Sequence, residues 1–377
     1  MLYVGLLNVE RCVVCSLPSR CGLHFVKGGG LLAGMEMYFP SFRITAAMAS
    51  DLSKIDQAKG FLEGLDLSVE WVQQEEVRIL AVEAHASTHI EGSQLTLDEA
   101  EQVLAGLSPE HSSPDDVREL INWRQAFDFV KQQASLPVTA EMILEIHRLL
   151  VDGVRGGSAG PGEYRNRQNY IVDQTTDQVV YTPPPPGEVE GLMEQFVRWL
   201  QAPSKLHPVI ISGIAQFQLV HIHPFRDGNG RASRLLSTLC LYRAGYDFRR
   251  MFTLSEYYDR DRAAFYRAIQ GVRDSGMDLT GWLEYFVRGL AVQLFEVKRR
   301  SEDGLRADAM ARAHGLNQRQ RQILFLLLVQ GASGIQQIER RAGSANRRTL
   351  QRDLAGLVEL GLVATSGATS SLRYRLV

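Results

Sequence analysis

The chain has 377 residues, 45% hydrophobic and 22% charged, which is room for two or three domains and the balance of a globular protein rather than a disordered or fibrous one. A formal net charge of −2 excludes a general polyanion binder. The charge is uneven, however: from Gly315 onward nine arginines and no lysine stand against three acids (Glu339, Asp353, Glu359), so a segment of net +6 follows a body of net −8.

Residues 1–36 have irregular patterning around Gly28-Gly29-Gly30 and are expected to form a poorly ordered extension, with Met1, Met35 and Met37 all candidate starts. No export signal is legible there, and the longest apolar run, residues 323–329, is far too short to span a membrane, so a cytoplasmic protein without membrane contact is expected. Of the four cysteines, Cys12, Cys15 and Cys21 cluster early and Cys240 stands apart. Cys12-x-x-Cys15 lacks the second pair a zinc site needs, so free thiols are expected.

Helical spacing begins at Asp51 (Leu52, Ile55, Ala58, Leu62) and resumes over residues 68–91, closed by Gly92. The end of that helix reads Ser87-Thr88-His89-Ile90-Glu91-Gly92. Ser87 and Glu91 are one turn apart and share a face. A glutamate in a last turn opposes the helix dipole and calls for a cationic partner, an arginine being the obvious one. Thr96 and Glu99 spell a capping box. Further helices are expected over residues 115–132 (Leu120, Trp123, Phe127, Val130 inward) and from Thr139 (Ile143, Ile146, Leu150), with His147 read as a core or surface residue and not a ligand. Two β-prone runs, 170–172 and 179–181, predict a hairpin, and Pro183 to Pro186 a stiff exit from it.

Helices follow over residues 188–200 and from His207-Pro208 to residues 223–234, which read His-Pro-Phe-Arg-Asp-Gly-Asn-Gly-Arg-Ala-Ser-Arg and run into a second apolar helix. A glycine turn opening a helix offers free backbone N–H groups and the positive end of the dipole, an anion site. Arg231 and Arg234 are three apart and their forks suit phosphate oxygens. Asp227 suits a magnesium ion bridging phosphates, and His223 titrates near neutrality as a general base requires. His221-x-His223 lacks a third metal ligand, so His221 is read as structural. Helices are expected over 259–272 and 281–300.

Those twelve residues match, at every defined position, the signature His-Pro-Phe-x-(Asp/Glu)-Gly-Asn-Gly-Arg-x-x-Arg of the Fic family. The resemblance extends over about residues 37–295, and Ser87 to Gly92 resembles the family's inhibitory motif. It implies a mainly α fold, a Fic helical core with a small β-hairpin flap. The implied organisation is an extension (1–36), an N-terminal helical segment with the inhibitory motif (37–134), a catalytic core (135–300), a helical linker (301–314) and a C-terminal domain (315–377). Three helices and a hairpin in the last segment resemble a winged helix, with Arg347, Arg348 and Arg352 on its recognition helix, and leave DNA or a protein open as its partner.

The resemblance also implies an activity: a protein adenylyltransferase that moves AMP from ATP, with Mg²⁺, onto a Ser, Thr or Tyr hydroxyl of a target protein and of itself. His223 would be the base and Asp227 the metal ligand. Gly228, Asn229, Gly230, Arg231, Ala232, Ser233, Arg234 and Tyr266 would bind nucleotide. Ser87 and Glu91 would inhibit by claiming Arg234, and the flap would pair with an extended target segment. Left open are another nucleotide donor such as UTP or a choline nucleotide, removal of AMP by the same glutamate, a homodimer, and a nucleotide-sensing DNA-binding regulator in place of an enzyme.

Overall fold

The structure is a computed structural model that describes residues 2–4, 38–67, 69–110, 112–154, 159–173, 176–341, 346–368 and 371–377. It is predominantly α-helical, and among the described residues the only sheets are two small three-stranded ones. Two compact units are present: Met1–Ala49 with Ala81–Tyr246 and Ser255–Val287, and Ser50–Leu80 with Asp247–Leu254 and Arg288–Val377.

The first unit is built on α7 (Pro208–Ile222) and α8 (Asn229–Arg243), which pack together along their lengths. Both are buried on nearly every side: Ile214, Ala215, Phe217, Leu219, Leu236, Leu239 and Leu241 have no exposed surface. α7 is apolar almost all round and belongs inside a protein for that reason, while α8 also carries Asn229, Arg231, Ser233, Arg234 and Ser237 into the interior. Around them lie α4 (Pro114–Gln133), α5 (Ala140–Val151) and α6 (Pro186–Gln201). Thr139 caps α5 by accepting from the Met142 amide at 3.2 Å. Before α4 comes α3 (Leu97–Leu104), opened by the expected capping box between Thr96 and Glu99.

Further along this unit, α9 (Leu254–Arg260) and α10 (Arg262–Asp274) are separate helices where the spacing predicted one over 259–272. Asp261 breaks the run: its backbone is non-helical and its carboxylate caps the Ala264 amide at 2.9 Å. The expected hairpin is present as β2 (Ile171–Asp173) and β3 (Gln178–Tyr181). Leu2–Val4 forms strand β1 and pairs antiparallel with β2, so β2 is central to the sheet β1-β2-β3. Those three residues therefore depart from the irregular extension expected for residues 1–36, most of which lies outside the described residues, as do Cys12, Cys15 and Cys21. Cys240 is free and buried.

The second unit takes most of α1 (Ala46–Gly64), the start of α2 (Val69–Ile90) and the C-terminal part of α11 (Thr280–His314). Its core holds Ile323, Leu324, Leu327, Ile338, Leu350, Leu354 and Leu357. These come from α12 (Gln318–Gln330), α13 (Ile335–Arg341) and α14 (Arg347–Glu359), with a sheet of β4 (Ser333–Gly334), β6 (Arg373–Leu376) and β5 (Val363–Ser366) in that spatial order. Trp71 of α2 packs edge-on to Phe325, and a side chain at Gly304 would meet its indole at 2.7 Å. Glu75 pairs with Arg300 at 2.6 Å.

The division into units differs from the expected one. Residues 50–80 group with the C-terminal segment, and α11 runs through 301–314 without a break. Where a boundary falls inside a long helix, no Pro or polar linker marks it in the sequence. No described helix is long and apolar enough to cross a membrane.

In the first unit, α7 approaches α11 at Gly213. A Cβ there would sit 2.9 Å from Leu283 Cδ2 and 3.0 Å from Phe286 Cδ1, while Trp282 Nε1 donates to the Gly213 carbonyl at 2.8 Å. Gly213→Val should cost about 1–3 kcal/mol through overpacking, read as a lower urea midpoint of the transition that reports this core.

Candidate active site

The site begins at the junction of α7 and α8. His223 ends α7 in a left-handed conformation (φ 52°, ψ 56°), which a non-glycine residue adopts only where its surroundings impose it. Those surroundings are specific. The Arg165 guanidinium donates from Nε to the His223 carbonyl at 2.8 Å, and the Arg165 amide donates to the Pro224 carbonyl at 2.8 Å. Phe225 is fully buried and stacks on His147, ring centroids 3.7 Å apart. Asn229 accepts from the Phe225 amide (2.9 Å) and donates to the Phe225 carbonyl (2.8 Å), and Asn169 donates to the same carbonyl at 2.8 Å. A loop with this many of its backbone groups claimed holds one shape.

The far end of the loop is set by His147. Its Nδ1 accepts from the Gly162 amide at 3.1 Å, so its Nε2 carries the proton and donates to the Asp227 carbonyl at 3.0 Å. Burial pushes this imidazole down to about 4, which keeps it neutral. Gly228 is required twice over: its φ is +77°, and a Cβ would lie 2.9 Å from Val151 Cγ1. Helix α8 starts at Asn229, and its first intrahelical bond runs from the Ala232 amide to the Gly228 carbonyl, so the amides of its opening turn face the mouth of the loop.

Within His223 the ring nitrogens are distinguished. Nδ1 lies 3.3 Å from the Val220 carbonyl and donates to it, which leaves the lone pair on Nε2, and Nε2 is buried with no hydrogen-bond partner among the described residues. Burial, with Arg165 and Arg273 adding to it, pulls the imidazole down to about 3. The ring is therefore a neutral acceptor on the wall of a cleft of about 320 Å³. Asp227, Gly228, Asn229, Gly230, Arg234, Tyr266 and Glu91 line the same cleft, and Ile171 and Val180 of the hairpin bound it.

Arg234 is nearly buried. It donates from Nε to Ser87 Oγ (3.0 Å) and from Nη2 to the Ser87 carbonyl (2.8 Å) and Glu91 Oε1 (2.8 Å). The Glu91 carboxylate also lies on the opening turn of α8, since a Cβ at Gly230 would be 2.1 Å from Glu91 Oε1. A carboxylate thus sits where the helix dipole and a guanidinium both favour an anion. The end of α2 is fastened there by Glu83, which accepts from the Ser255 amide at 2.9 Å, and by His89, whose Nδ1 lies 2.9 Å from an Asp259 carboxylate that also pairs with Arg262 at 2.7 Å.

Three residues expected to touch nucleotide do not line the cleft. Arg231 is buried on α4, 3.1 Å from Glu119, with its other terminal nitrogen 3.8 Å from Asp227. Residues three apart on a helix differ by about 60° in direction, and here that turns one arginine into the core and leaves the other on the cleft. Ala232 and Ser233 are also buried, Ser233 Oγ donating to the Gly230 carbonyl at 2.8 Å. The Asn229 side chain is spent on the loop, so only its backbone faces the cleft. Sequence reasoning missed Glu119, Asn169 and Arg273 and gave Arg165 and His147 no part in the site. Each is remote in sequence from residues 223–234, and single polar residues in helices and loops carry no spacing signal.

Asp227, 27% exposed, is a carboxylate on the cleft beside the opening turn of α8. One carboxylate with open surroundings suits Mg²⁺, which keeps several waters and relies on substrate phosphates for much of its shell, so the residues fit that ion. The described residues hold no cluster of three or more His, Cys, Asp or Glu that would cage a metal by themselves.

Residues 137–241 match the profile of the Fic/DOC family. Among curated proteins, the protein adenylyltransferase Fic of Drosophila persimilis is 33% identical over 203 residues, 52% of this chain and 38% of that protein. The Drosophila virilis protein of the same name is 38% identical over 168 residues, 42% of this chain and 32% of that protein. The chain therefore spans well under half the length of these relatives. Among solved structures, a Fic family protein from Desulfovibrio desulfuricans G20 superposes with a TM-score of 0.61 at 23% identity, over 90% of this chain and 98% of that one. Fic-1 of C. elegans gives 0.57 at 23%, over 70% and 74%. These structural likenesses speak for the fold. The loop that carries His223 lies within the residues that match the Fic/DOC family profile.

Proposed function

We propose that the cleft transfers AMP from ATP to a hydroxyl group of a protein. The observation that carries this reading is the free lone pair on His223 Nε2, on one cleft with Asp227, the opening turn of α8 and Arg234. The hydroxyl oxygen attacks the α-phosphorus, the bond from that phosphorus to the bridging oxygen breaks, and pyrophosphate leaves. His223 Nε2 takes the hydroxyl proton. The first-turn amides of α8 and Arg234 compensate phosphate charge in a pre-arranged, partly water-excluded setting, where such charges act most strongly. Mg²⁺ held by Asp227 would neutralise further phosphate charge. Arg231 acts indirectly, fixing Asp227 from behind through its pair with Glu119. The names of the Drosophila relatives favour this reading over a nucleotide-sensing regulator.

In the same reading Glu91 is an inhibitor. It holds the guanidinium and covers the helix turn that a phosphate would need. A strong charge-assisted contact of this kind is worth about 1.5–3 kcal/mol, or about 10- to 150-fold in nucleotide binding. The hairpin supports target docking by strand addition. Because β1 already covers one edge of β2, an incoming segment adds to an outer strand or replaces Leu2–Val4. We read the C-terminal helices α12–α14 and sheet β4-β6-β5 as a winged helix. Arg347, Arg348 and Arg352 are exposed on α14 and favour a nucleic-acid partner.

Three outcomes are expected. Glu91→Gly should raise incorporation of label from α-³²P-ATP into the chain itself at least tenfold, above that from UTP or GTP, and His223→Ala in that background should abolish it. Unchanged labelling on losing Glu91 would sink the inhibitory role, and release of AMP from pre-labelled protein by the unaltered chain would show the reverse reaction. The pH profile follows from the depressed His223. The neutral base persists well below pH 6.5, so the Glu91→Gly rate should hold between pH 8 and 5, where an ordinary imidazole would lose about thirtyfold. Finally, duplex DNA binding followed by fluorescence anisotropy should weaken with salt, and replacing Arg347, Arg348 and Arg352 by Ala should reduce the log–log slope by about 2–3.

A further inference from the structure

Arg273 stands in the last turn of α10, on the wall of the same cleft as His223 and Asp227. Its guanidinium carbon lies 3.4 Å from the centroid of the Tyr181 ring on β3, and Nη1 donates to Gln270 Oε1 at 3.1 Å. The Tyr181 hydroxyl is in turn anchored to α7, donating to the His221 carbonyl (2.7 Å) and accepting from His221 Nδ1 (2.9 Å). Arg273 Nε and Nη2 are shut off from solvent and make no well-aligned hydrogen bond among the described residues, the Tyr181 hydroxyl being close enough only to act on the guanidinium weakly.

The other shielded arginines around the cleft have their charge met, although Arg231 Nε and Nη1 too lack a hydrogen bond among the described residues. Arg234 has Glu91, Arg231 has Glu119, and Arg165 gives its donors to the carbonyls of His223, Arg167 and Pro184. No carboxylate lies within ion-pair distance of Arg273 among the described residues, and Asp274, next in the chain, acts on it only through space while accepting from Gln270 Nε2 at 2.9 Å. Burial draws Arg273 down to about 10, so it stays charged at neutral pH. A shielded cation with two idle donors is costly unless something compensates it. The face of Tyr181 offsets part of that cost and holds the fork in place. Two parallel donors on a fixed cation match the oxygens of a phosphate or carboxylate.

We infer that Arg273 is a second anion-binding position of the cleft, taking a phosphate oxygen of the bound nucleotide on the side of His223. The inference rests on the nucleotide reading given above. A phosphate is favoured over a base or sugar edge because the unmet requirement is for charge as well as for hydrogen bonds. Through Tyr181 the same contact links nucleotide occupancy to the hairpin.

The test is binding, which needs no transfer to occur. In the full chain carrying Glu91→Gly, the affinities for ATP, AMP and adenosine are measured by calorimetry with Arg273 intact and as Arg273→Met and Arg273→Lys. The Met variant should weaken ATP and AMP alike by about 10- to 100-fold, leave adenosine unchanged, and be partly rescued by Lys. Should the Met variant not fold, as judged by circular dichroism and melting, Arg273→Gln takes its place. Equal weakening of adenosine would assign the contact to base or sugar and overturn the inference. Unchanged nucleotide affinities with a raised KM for a protein substrate would overturn it in favour of an acidic group on the target. Failure of the chain with Arg273 intact to bind AMP or ATP would overturn the nucleotide reading and the inference together.

Discussion

The site depends on where one guanidinium is held. Arg234 is nearly buried, and its bonds to Ser87 and Glu91 join two helices more than 140 residues apart in sequence. Removing either side would leave a shielded charge without compensation, which is far more costly than the net worth of the pair. The contact therefore fastens the end of α2 as well as occupying the cleft. Under the proposed reading a nucleotide phosphate competes for a partner that the fold has already supplied, and the exchange of one anion for another leaves the guanidinium compensated in both states.

A second constraint operates one turn away. The loop from His223 to Gly228 carries a left-handed histidine, a left-handed glycine and a buried phenylalanine, none of which is stable alone. Arg165, Asn169, His147 and Asn229 bind its backbone, so the loop is shaped by residues that never reach the cleft surface. That division of labour explains why so polar a stretch is mostly buried. Arg231, Ser233 and the Asn229 side chain serve the frame, while His223 Nε2, Asp227, Arg234 and the opening turn of α8 are left facing the cleft. Arg273 fits this pattern from the other side, since it is shielded and stacked on Tyr181, yet only Nη1 is claimed, by Gln270.

Much of the architecture was legible because it repeats. The helices from Ala46 to Arg243 are spaced by apolar residues, and their starts at Thr96 and Thr139 obey capping chemistry that acts over three residues. The helix break at Asp261 was missed because an aspartate inside an apolar run looks like a surface residue until its carboxylate is seen capping Ala264. Residues 301–314 are helical as expected; that they continue α11 rather than form a linker was hidden, because a polar helix reads as a linker when its packing partners are unknown.

The twelve residues 223–234 by themselves determined that an anion-binding turn, an imidazole and a carboxylate stand together, because those properties are local to a loop and one helix turn; the expected titration of His223 near neutrality was overturned by its burial, which pulls it down to about 3. Ser87 and Glu91 on one face, with a need for a cationic partner, were equally local. Only the tertiary structure decided that Arg234 and not Arg231 faces the cleft, since that depends on which neighbouring helix offers a buried Glu119. It alone placed Glu91 against Gly230, and brought Arg165, His147 and Arg273 to the site. Hydrogen bonds and ion pairs between residues far apart in the chain are set by packing, and packing leaves no spacing in the sequence.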